Sequence, residues 1–194
     1  MMKSSPLQPS KPKVCKPTFE TIQRVSDWSA CGRRRYRLGR FWTSGPIACV
    51  IGLNPSVANA DTDDPTNRRL ISLLSDLGFG GYWLVNLIAE STPYPDQLGR
   101  RLRRLSRVNR QVIEQAIGES DQTILAWGAG GIRCDFRFRL VRSIHEPQCF
   151  GFTKAGEPKH DSEKTAFDYA SLAVDEKPVQ DTSTKVVIND KDRH

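Results

Sequence analysis

The side chains best suited to chemistry in this chain follow its apolar runs. Asn54, Asp61 and Asp64 come after one run, Asn86 stands near the end of a second, and His160 comes after a third. Carboxylates and amides can orient a water molecule or stabilise a developing positive charge, and a histidine can donate a proton near neutral pH. Together these residue types suit hydrolysis, provided that the fold brings the three segments to one place.

Each of these residues also has a purely structural interpretation. Asp63 or Asp64 suits the N-cap of a helix that has Pro65 at its first position. An asparagine in an apolar strand is costly unless its amide is paired, so Asn86 bonds either a neighbouring loop or a ligand. His160 alone could be a surface histidine. The expected convergence of these residues at one edge of a sheet favours the functional interpretation.

The alternation of apolar runs with helical patterns predicts an α/β fold. Strands are predicted at 36–42, 47–51, 82–88, 123–127 and 148–152, and helices at 64–77, 106–118 and 136–144. This alternation implies three αβα layers, with a mainly parallel sheet of four to five strands and helices on both faces. The connection between the first two strands is too short for a helical crossover, so they are predicted to be antiparallel neighbours, the first near the sheet edge.

Length and composition predict one domain with two tails. Residues 1–30 are predicted to be a disordered basic arm, 31–167 a single α/β domain, and 168–194 a polar disordered tail. The five cysteines lack CxxC spacing, which indicates a reducing cytoplasm and neither a disulfide framework nor a metal site. No cofactor is expected, because the glycines at 128–131 lack dinucleotide-binding or Walker spacing. No run of about 18 apolar residues is present, so no membrane span is expected.

Two arginine clusters stand out in a chain of formal net charge +7. Arginine suits bidentate contact with phosphate, so the clusters favour nucleic acid or a nucleotide as partner. The alternative is a pair of solvated, charged faces. The first cluster consists of Arg33, Arg34, Arg35, Arg37 and Arg40, and the second of Arg100, Arg101, Arg103, Arg104, Arg107 and Arg110. The residues predicted to bind nucleic acid are Arg100, Arg101, Arg103 and Arg104.

Four segments resemble the bacterial and phage family known as domain of unknown function 1643. They are GLNPSVANADTDDPTNRR at 52–69, GGYWLVNL at 80–87, AWG at 126–128 and GFTKAGEPKH at 151–160. They occur in the family's order, and the resemblance covers roughly residues 36–160, most of the predicted domain. The family brings no established activity.

The order of these motifs also resembles the uracil-DNA glycosylase superfamily, which implies a uracil-DNA glycosylase-like fold. In that superfamily a Gly-x-Asn-Pro-like loop positions the attacking water, a strand asparagine reads the pyrimidine edge, and a final histidine stabilises the departing base. The resemblance carries these roles to Asn54 or a nearby aspartate, to Asn86 and to His160. It implies N-glycosidic hydrolysis of a nucleobase, nucleotide or nucleic acid, through an oxocarbenium-like state.

The hydrolase hypothesis therefore uses residues from each of the polar loops that follow the predicted parallel strands. Its catalytic residues are Asn54, Asp61, Asp64 and His160. Its substrate-binding residues are Gly52, Pro55, Ser56, Arg68, Asn86, Gly128 and Lys154. Trp42, Tyr82 and Phe152 are candidates for the aromatic wedge that base flipping requires. Two alternatives stay open: a non-catalytic nucleic-acid-binding module of the same fold, and an enzyme acting on a small phosphorylated substrate.

Overall fold

The structure, a computed structural model, describes Pro17, Tyr94 and residues 21–56, 58–92, 105–134 and 136–160. These residues form the strands β1 (Gln23–Trp28), β2 (Arg35–Phe41), β3 (Ile47–Gly52), β4 (Gly81–Asn86), β5 (Gln122–Leu125) and β6 (Gln148–Cys149). They also form the helices α1 (Pro65–Asp76), α2 (Arg107–Gly118) and α3 (Arg137–Arg142), and a short 3-10 helix at Ala129–Arg133. In the described part of the chain, no helix is long and apolar enough to cross a membrane.

The strands form one open sheet in the order β1-β2-β4-β3-β5-β6. Strands β4, β3, β5 and β6 are parallel to one another, whereas β1 and β2 pair antiparallel at one side. The chain leaves β3 for β4 on one side and later returns to β5 on the other. In parallel sheets of this kind the crevice at such a reversal, beyond the carboxyl ends of the strands, is the usual binding site.

The helices cover both faces of the sheet, as predicted, because alternate residues of a strand point to opposite sides. On one face, Leu74 of α1 belongs to a buried cluster with Val50 of β3. On the other face, Ile113 of α2 and Leu140 of α3 belong to a cluster with Cys49 of β3. The α/β prediction is therefore confirmed at this level, for a sheet that is only partly parallel.

The prediction that β2 and β3 are neighbours is wrong, because β4 lies between them. The connection from β2 to β3 passes around the start of β4. There the Gly80 N–H donates to Pro46 O at 2.7 Å, and Gly80 O accepts from Trp42 N at 2.8 Å. A Cβ on Gly80 would lie 2.5 Å from Thr43 O, so only glycine fits inside this connection.

Strand β1 corrects the predicted start of the domain. It lies inside the range 1–30 that was predicted to be a disordered arm, yet it pairs with β2 from Gln23 opposite Phe41 onward. Its sequence, QRVSDW, has only two apolar residues, so the alternation that marks a strand is weak. Residues 1–16, 18–20 and the predicted tail at 168–194 lie outside the described residues.

Candidate functional site

A cavity of about 150 Å³ lies where the parallel strands end, against the first turns of α1. Its polar lining residues are Arg35, Asn54, Ser56, Asp64, Thr66, Asn86 and His160. Its other lining residues are Val50, Gly52, Leu53, Leu70, Leu84, Ala126 and Trp127. A cavity of this volume holds one six-membered ring, since an engineered cavity of about 150 Å³ binds benzene. Six of the predicted site residues therefore meet in one place: Gly52, Asn54, Ser56, Asp64, Asn86 and His160.

Other predicted site residues lie elsewhere. Asp61 and Arg68 line a separate, more open groove. Asp61 is exposed because Asn59 Oδ1 accepts hydrogen bonds from the backbone N–H groups of Asp61 and Thr62, both at 2.8 Å, which turns the loop outward. Placing Asp61 in one site with His160 is thus wrong.

The other predicted site residues that the structure describes do not line the cavity, and one of them supports a residue that does. Pro55 is buried beside the cavity-lining residues without lining the cavity, and Lys154 is exposed in a turn. Gly128 acts as a support: its N–H donates to Pro158 O at 2.9 Å, and a Cβ there would lie 3.5 Å from the Cβ of His160. Residues 100, 101, 103 and 104 of the second arginine cluster lie outside the described residues.

Asp64, rather than Asp63, is the N-cap of α1. Its Oδ1 accepts hydrogen bonds from the backbone N–H of Asn67 at 2.7 Å and from Asn67 Nδ2 at 2.8 Å, and its Oδ2 accepts from the Ser56 hydroxyl. Burial acts to raise the pKa of Asp64, but these hydrogen bonds and the charge of Arg35 outweigh burial and lower the pKa. Asp64 is therefore a carboxylate at neutral pH.

Replacing Asp64 with asparagine is expected to reduce the loss of free energy of unfolding that occurs as the pH falls into the acid range. The folded-state pKa of Asp64 lies below the ordinary value of 3.8, so its charge contributes stability above that pH. The contribution is lost as the pH falls through the lower, folded-state pKa. Asparagine is itself a good N-cap and has no charge to titrate. Urea unfolding from about pH 6 to about pH 2 should show a smaller loss of stability for Asp64→Asn than for the wild type.

The matched control is Asp64→Ala, which removes the cap along with the charge. It should lower the free energy of unfolding by about 1 kcal/mol at neutral pH, where Asp64→Asn keeps the cap. If the free energy of unfolding falls equally with decreasing pH in the wild type and in Asp64→Asn, the lowered pKa of Asp64 is contradicted.

Three residues of the first arginine cluster, Arg34, Arg37 and Arg40, form ion pairs inside the chain. Arg40 is fully buried, and its Nε lies 2.8 Å from Asp63 Oδ1, while Arg24 Nη1 lies 2.6 Å from Asp63 Oδ2. Arg34 pairs with Glu90. Two further ion pairs join Arg37 to Asp27 and to Glu119. These contacts hold the loop after β3 and the edge strands in place, so these three arginines are already paired within the chain.

Asn86 lines the cavity and, within the described part of the chain, has an unpaired side-chain donor. The residue is 3 % exposed, and its Nδ2 has no hydrogen-bond partner among the described residues. Gly52 stands opposite Asn86 in the β3–β4 register, and a Cβ on Gly52 would lie 2.7 Å from Asn86 Oδ1. The missing side chain at Gly52 therefore makes room for the amide. A buried donor without a partner favours the ligand-binding interpretation of Asn86 over the structural one.

Replacing Gly52 with alanine is expected to weaken ligand binding by about fivefold while changing stability little. The new methyl group would push the Asn86 amide out of place, and one well-placed hydrogen bond contributes about 1 kcal/mol. The measurement compares wild type and Gly52→Ala in their affinity for a compound with a single six-membered ring and in their melting temperature. Gly118→Ala at the end of α2 is the control, because a Cβ there meets nothing within 4 Å. Unchanged ring affinity in Gly52→Ala would contradict this role of Asn86.

Asn54 joins the loops that follow β3 and β4. Its Nδ2 donates to Pro55 O at 3.1 Å and to Thr92 O at 2.8 Å, which fixes the amide and leaves the carbonyl oxygen able to accept. Backbone hydrogen bonds continue the pairing, with Leu87 N donating to Gly52 O at 2.9 Å. The loop that lines the cavity is therefore held by its neighbour.

A buried ion pair positions the segment that carries His160. Glu157 is 6 % exposed and accepts from Arg137 Nη2 at 2.7 Å and from Trp127 Nε1 at 2.8 Å. Lys159 N donates to Gly151 O at 2.8 Å, which closes the turn. Trp127, a wall of the cavity, and His160 are thus fixed by one network.

Sequence reasoning missed three of these residues. Arg35 was hidden within a run of arginines, and Trp127 was assigned only to a strand. Glu157 gave one signal, an acidic residue in the quoted motif GFTKAGEPKH beside the histidine. Two of the three wedge candidates are paired inside the fold: Tyr82 is fully buried and donates to Asn67, and Trp42 donates to Phe79 O. The third, Phe152, is partly buried.

Among the residues that the structure describes, there is no group of three or more His, Cys, Asp or Glu side chains that could hold a metal ion.

No curated protein and no solved structure matches the chain. The family described as "Protein of unknown function (DUF1643)" matches residues 35–161. This range includes every residue that lines the cavity. The chain therefore belongs to this family of proteins of unknown function.

Proposed function

We propose that the cavity is an active site that hydrolyses the N-glycosidic bond of a nucleotide, free or within nucleic acid, with the base bound in the cavity. One observation carries the proposal: a cavity of about 150 Å³ is lined by Asn54, Asp64, Asn86 and His160 at the carboxyl ends of the strands. This volume suits a single ring, so the sugar and phosphate would lie outside. The position at the reversal of strand order supports a binding role.

The resemblance to the uracil-DNA glycosylase superfamily gives each residue a role in this proposal. Asn86 Nδ2 donates to an acceptor on the ring edge, and Trp127 forms a wall for the ring. Asn54 orients the water, and the Asp64 carboxylate stabilises the positive charge that develops on the sugar. His160 donates a hydrogen bond or proton to the departing base.

The test is to incubate the full chain with oligonucleotides and free nucleosides that carry modified or mispaired bases, and to detect released base by mass spectrometry. The proposal predicts release of a single-ring base that depends on enzyme concentration. A matched His160→Ala preparation controls for a contaminating glycosylase. If the protein binds substrates of the panel but releases no base from any of them, the proposed hydrolysis is contradicted.

One observation favours a second candidate, a non-catalytic binding module. Both carboxylate oxygens of Asp64 already accept hydrogen bonds, from Asn67 and Ser56, which is also what a purely structural cap requires. The same panel separates the two candidates. A binding module would bind an oligonucleotide with saturation and leave its base attached.

Replacing Arg100, Arg101, Arg103 and Arg104 with glutamine is expected to flatten the salt dependence of nucleic-acid binding. If these residues contact phosphates, the slope of log affinity against log salt should fall by roughly 0.7 to 0.9 for each contact removed. The measurement is fluorescence anisotropy at several salt concentrations. Replacing Arg139 and Arg142, which are exposed on α3, with glutamine is the control for half of this change in net charge. Absent binding at low salt, or an unchanged slope, would assign the cluster to a solvated face.

A further inference from the structure

Arg35 is a buried cation with an incomplete set of partners. It is 1 % exposed and lines the cavity. Its Nη1 donates to Ala58 O at 2.7 Å, while its Nε has no hydrogen-bond partner among the described residues. The nearby carboxylate of Asp64 accepts its hydrogen bonds from Ser56 and Asn67. A buried charge without a direct counter-charge is expensive, and an anion in the cavity would offset that cost.

A second unpaired donor lines the same cavity. Asn86 Nδ2 is buried and has no partner among the described residues, so two residues that line the cavity, one cationic and one neutral, each have a donor without a partner. Burial lowers the pKa of Arg35 to about 10, although the charge of Asp64 opposes this. The guanidinium remains charged at neutral pH. The ligand that satisfies both donors has acceptor atoms on its edge and carries negative charge on at least one of them.

We propose that Arg35 is a catalytic residue that binds the negative charge which the ring acquires when the N-glycosidic bond breaks. This inference rests on the proposed function. When the bond from the sugar carbon to the ring nitrogen breaks, its electron pair goes to the nitrogen and the ring becomes an anion. Water adds its oxygen to the sugar carbon, and the proton that it loses is balanced by the proton that the ring takes up. Arg35 keeps its own proton throughout.

The test compares two rings of nearly the same shape, 5-nitrouracil, which is ionised at neutral pH, and uracil, which is neutral. Isothermal titration of the full chain should show about tenfold or more tighter binding of the anionic ring, as expected for a hydrogen bond to a charged group. Arg35→Gln should abolish this preference, and Arg35→Lys should retain part of it. The matched control is Arg37→Gln, two residues along β2, because Arg37 pairs with Asp27 and Glu119 and does not line the cavity.

Three outcomes would overturn the inference. They are equal affinity of the wild type for both rings, a preference that survives in folded Arg35→Gln, and tighter binding of inorganic phosphate than of either ring. The first comparison needs no variant, so a poorly folding Arg35→Gln does not block the test. Failure of the proposed function gives a different result: no base would be released, which would remove the catalytic role of Arg35, while the preference for the anionic ring and its loss in Arg35→Gln would show an anion-binding site.

Discussion

Replacing His160 with alanine is expected to slow base release by about 100-fold or more, as loss of a general acid or charge-stabilising donor does. His160 is half-buried, lines the cavity, and follows a segment whose backbone is held by Gly128 and Gly151. These backbone contacts do not depend on the imidazole, so the fold should survive the change. Single-turnover rates with saturating enzyme measure the effect on the bond-breaking step, and a thermal melt checks folding.

His145→Ala is the matched control for this prediction. His145 is exposed beyond the end of α3 and does not line the cavity, so its removal should leave the rate unchanged. A wild-type rate in His160→Ala would remove the histidine from the mechanism. Equal losses in both variants would indicate a general effect of the substitutions.

Replacing Glu157 with glutamine is expected to lower the free energy of unfolding by about 3–5 kcal/mol. The side chains of Glu157 and Arg137 are 8 % and 7 % exposed, so the change would leave Arg137 buried without its counter-charge. Ring affinity should fall as well, because Trp127 donates to the same carboxylate and His160 lies on the segment that Glu157 anchors. Urea unfolding and ring titration measure the two effects.

The control for Glu157→Gln is the same substitution in an exposed ion pair. Glu114 pairs with Arg110 on α2 with side chains 50 % and 66 % exposed, so Glu114→Gln should change stability by less than about 0.5 kcal/mol. Replacing Glu157 and Arg137 together with leucine and methionine should recover much of the stability, since apolar residues can substitute for a buried pair. It should not recover ring binding. A loss below about 1 kcal/mol in Glu157→Gln would show that the pair does not anchor this segment.

Much of the convergence of the site could be predicted because it depends on topology. The carboxyl ends of parallel strands meet at one edge, so Gly52, Asn54 and Asn86 had to approach one another once their strands were identified. His160 lies beyond the end of β6, and its position also depends on the hydrogen bond from Gly128 N to Pro158 O. Asp61 could not be placed in the same way. A turn made by Asn59 within the loop decides its direction, and such local hydrogen bonding overrides position along the chain.

The edge of the sheet and the role of Arg35 were beyond sequence reasoning for a different reason. A short connection between β2 and β3 leaves open whether a third strand inserts between them, and that choice is made by distant pairing with β4. The same pairing decides which arginines of β2 are buried. Arg35 and Arg40 of β2 are buried, whereas Arg34, just before β2, is exposed, although all three belong to the first arginine cluster.

The most direct test of the cavity as a ring-binding site is an NMR titration of the full, ¹⁵N-labelled chain with free single-ring bases. The side-chain amide signal of Asn86 can be assigned by its absence from the spectrum of Asn86→Asp. Occupation of the cavity predicts a saturable shift of this signal with at least one base, while the amide of Gln115 on the exposed face of α2 stays unchanged. If none of the bases shifts the Asn86 amide at millimolar concentration, the cavity does not bind a base, and the proposed active site is contradicted.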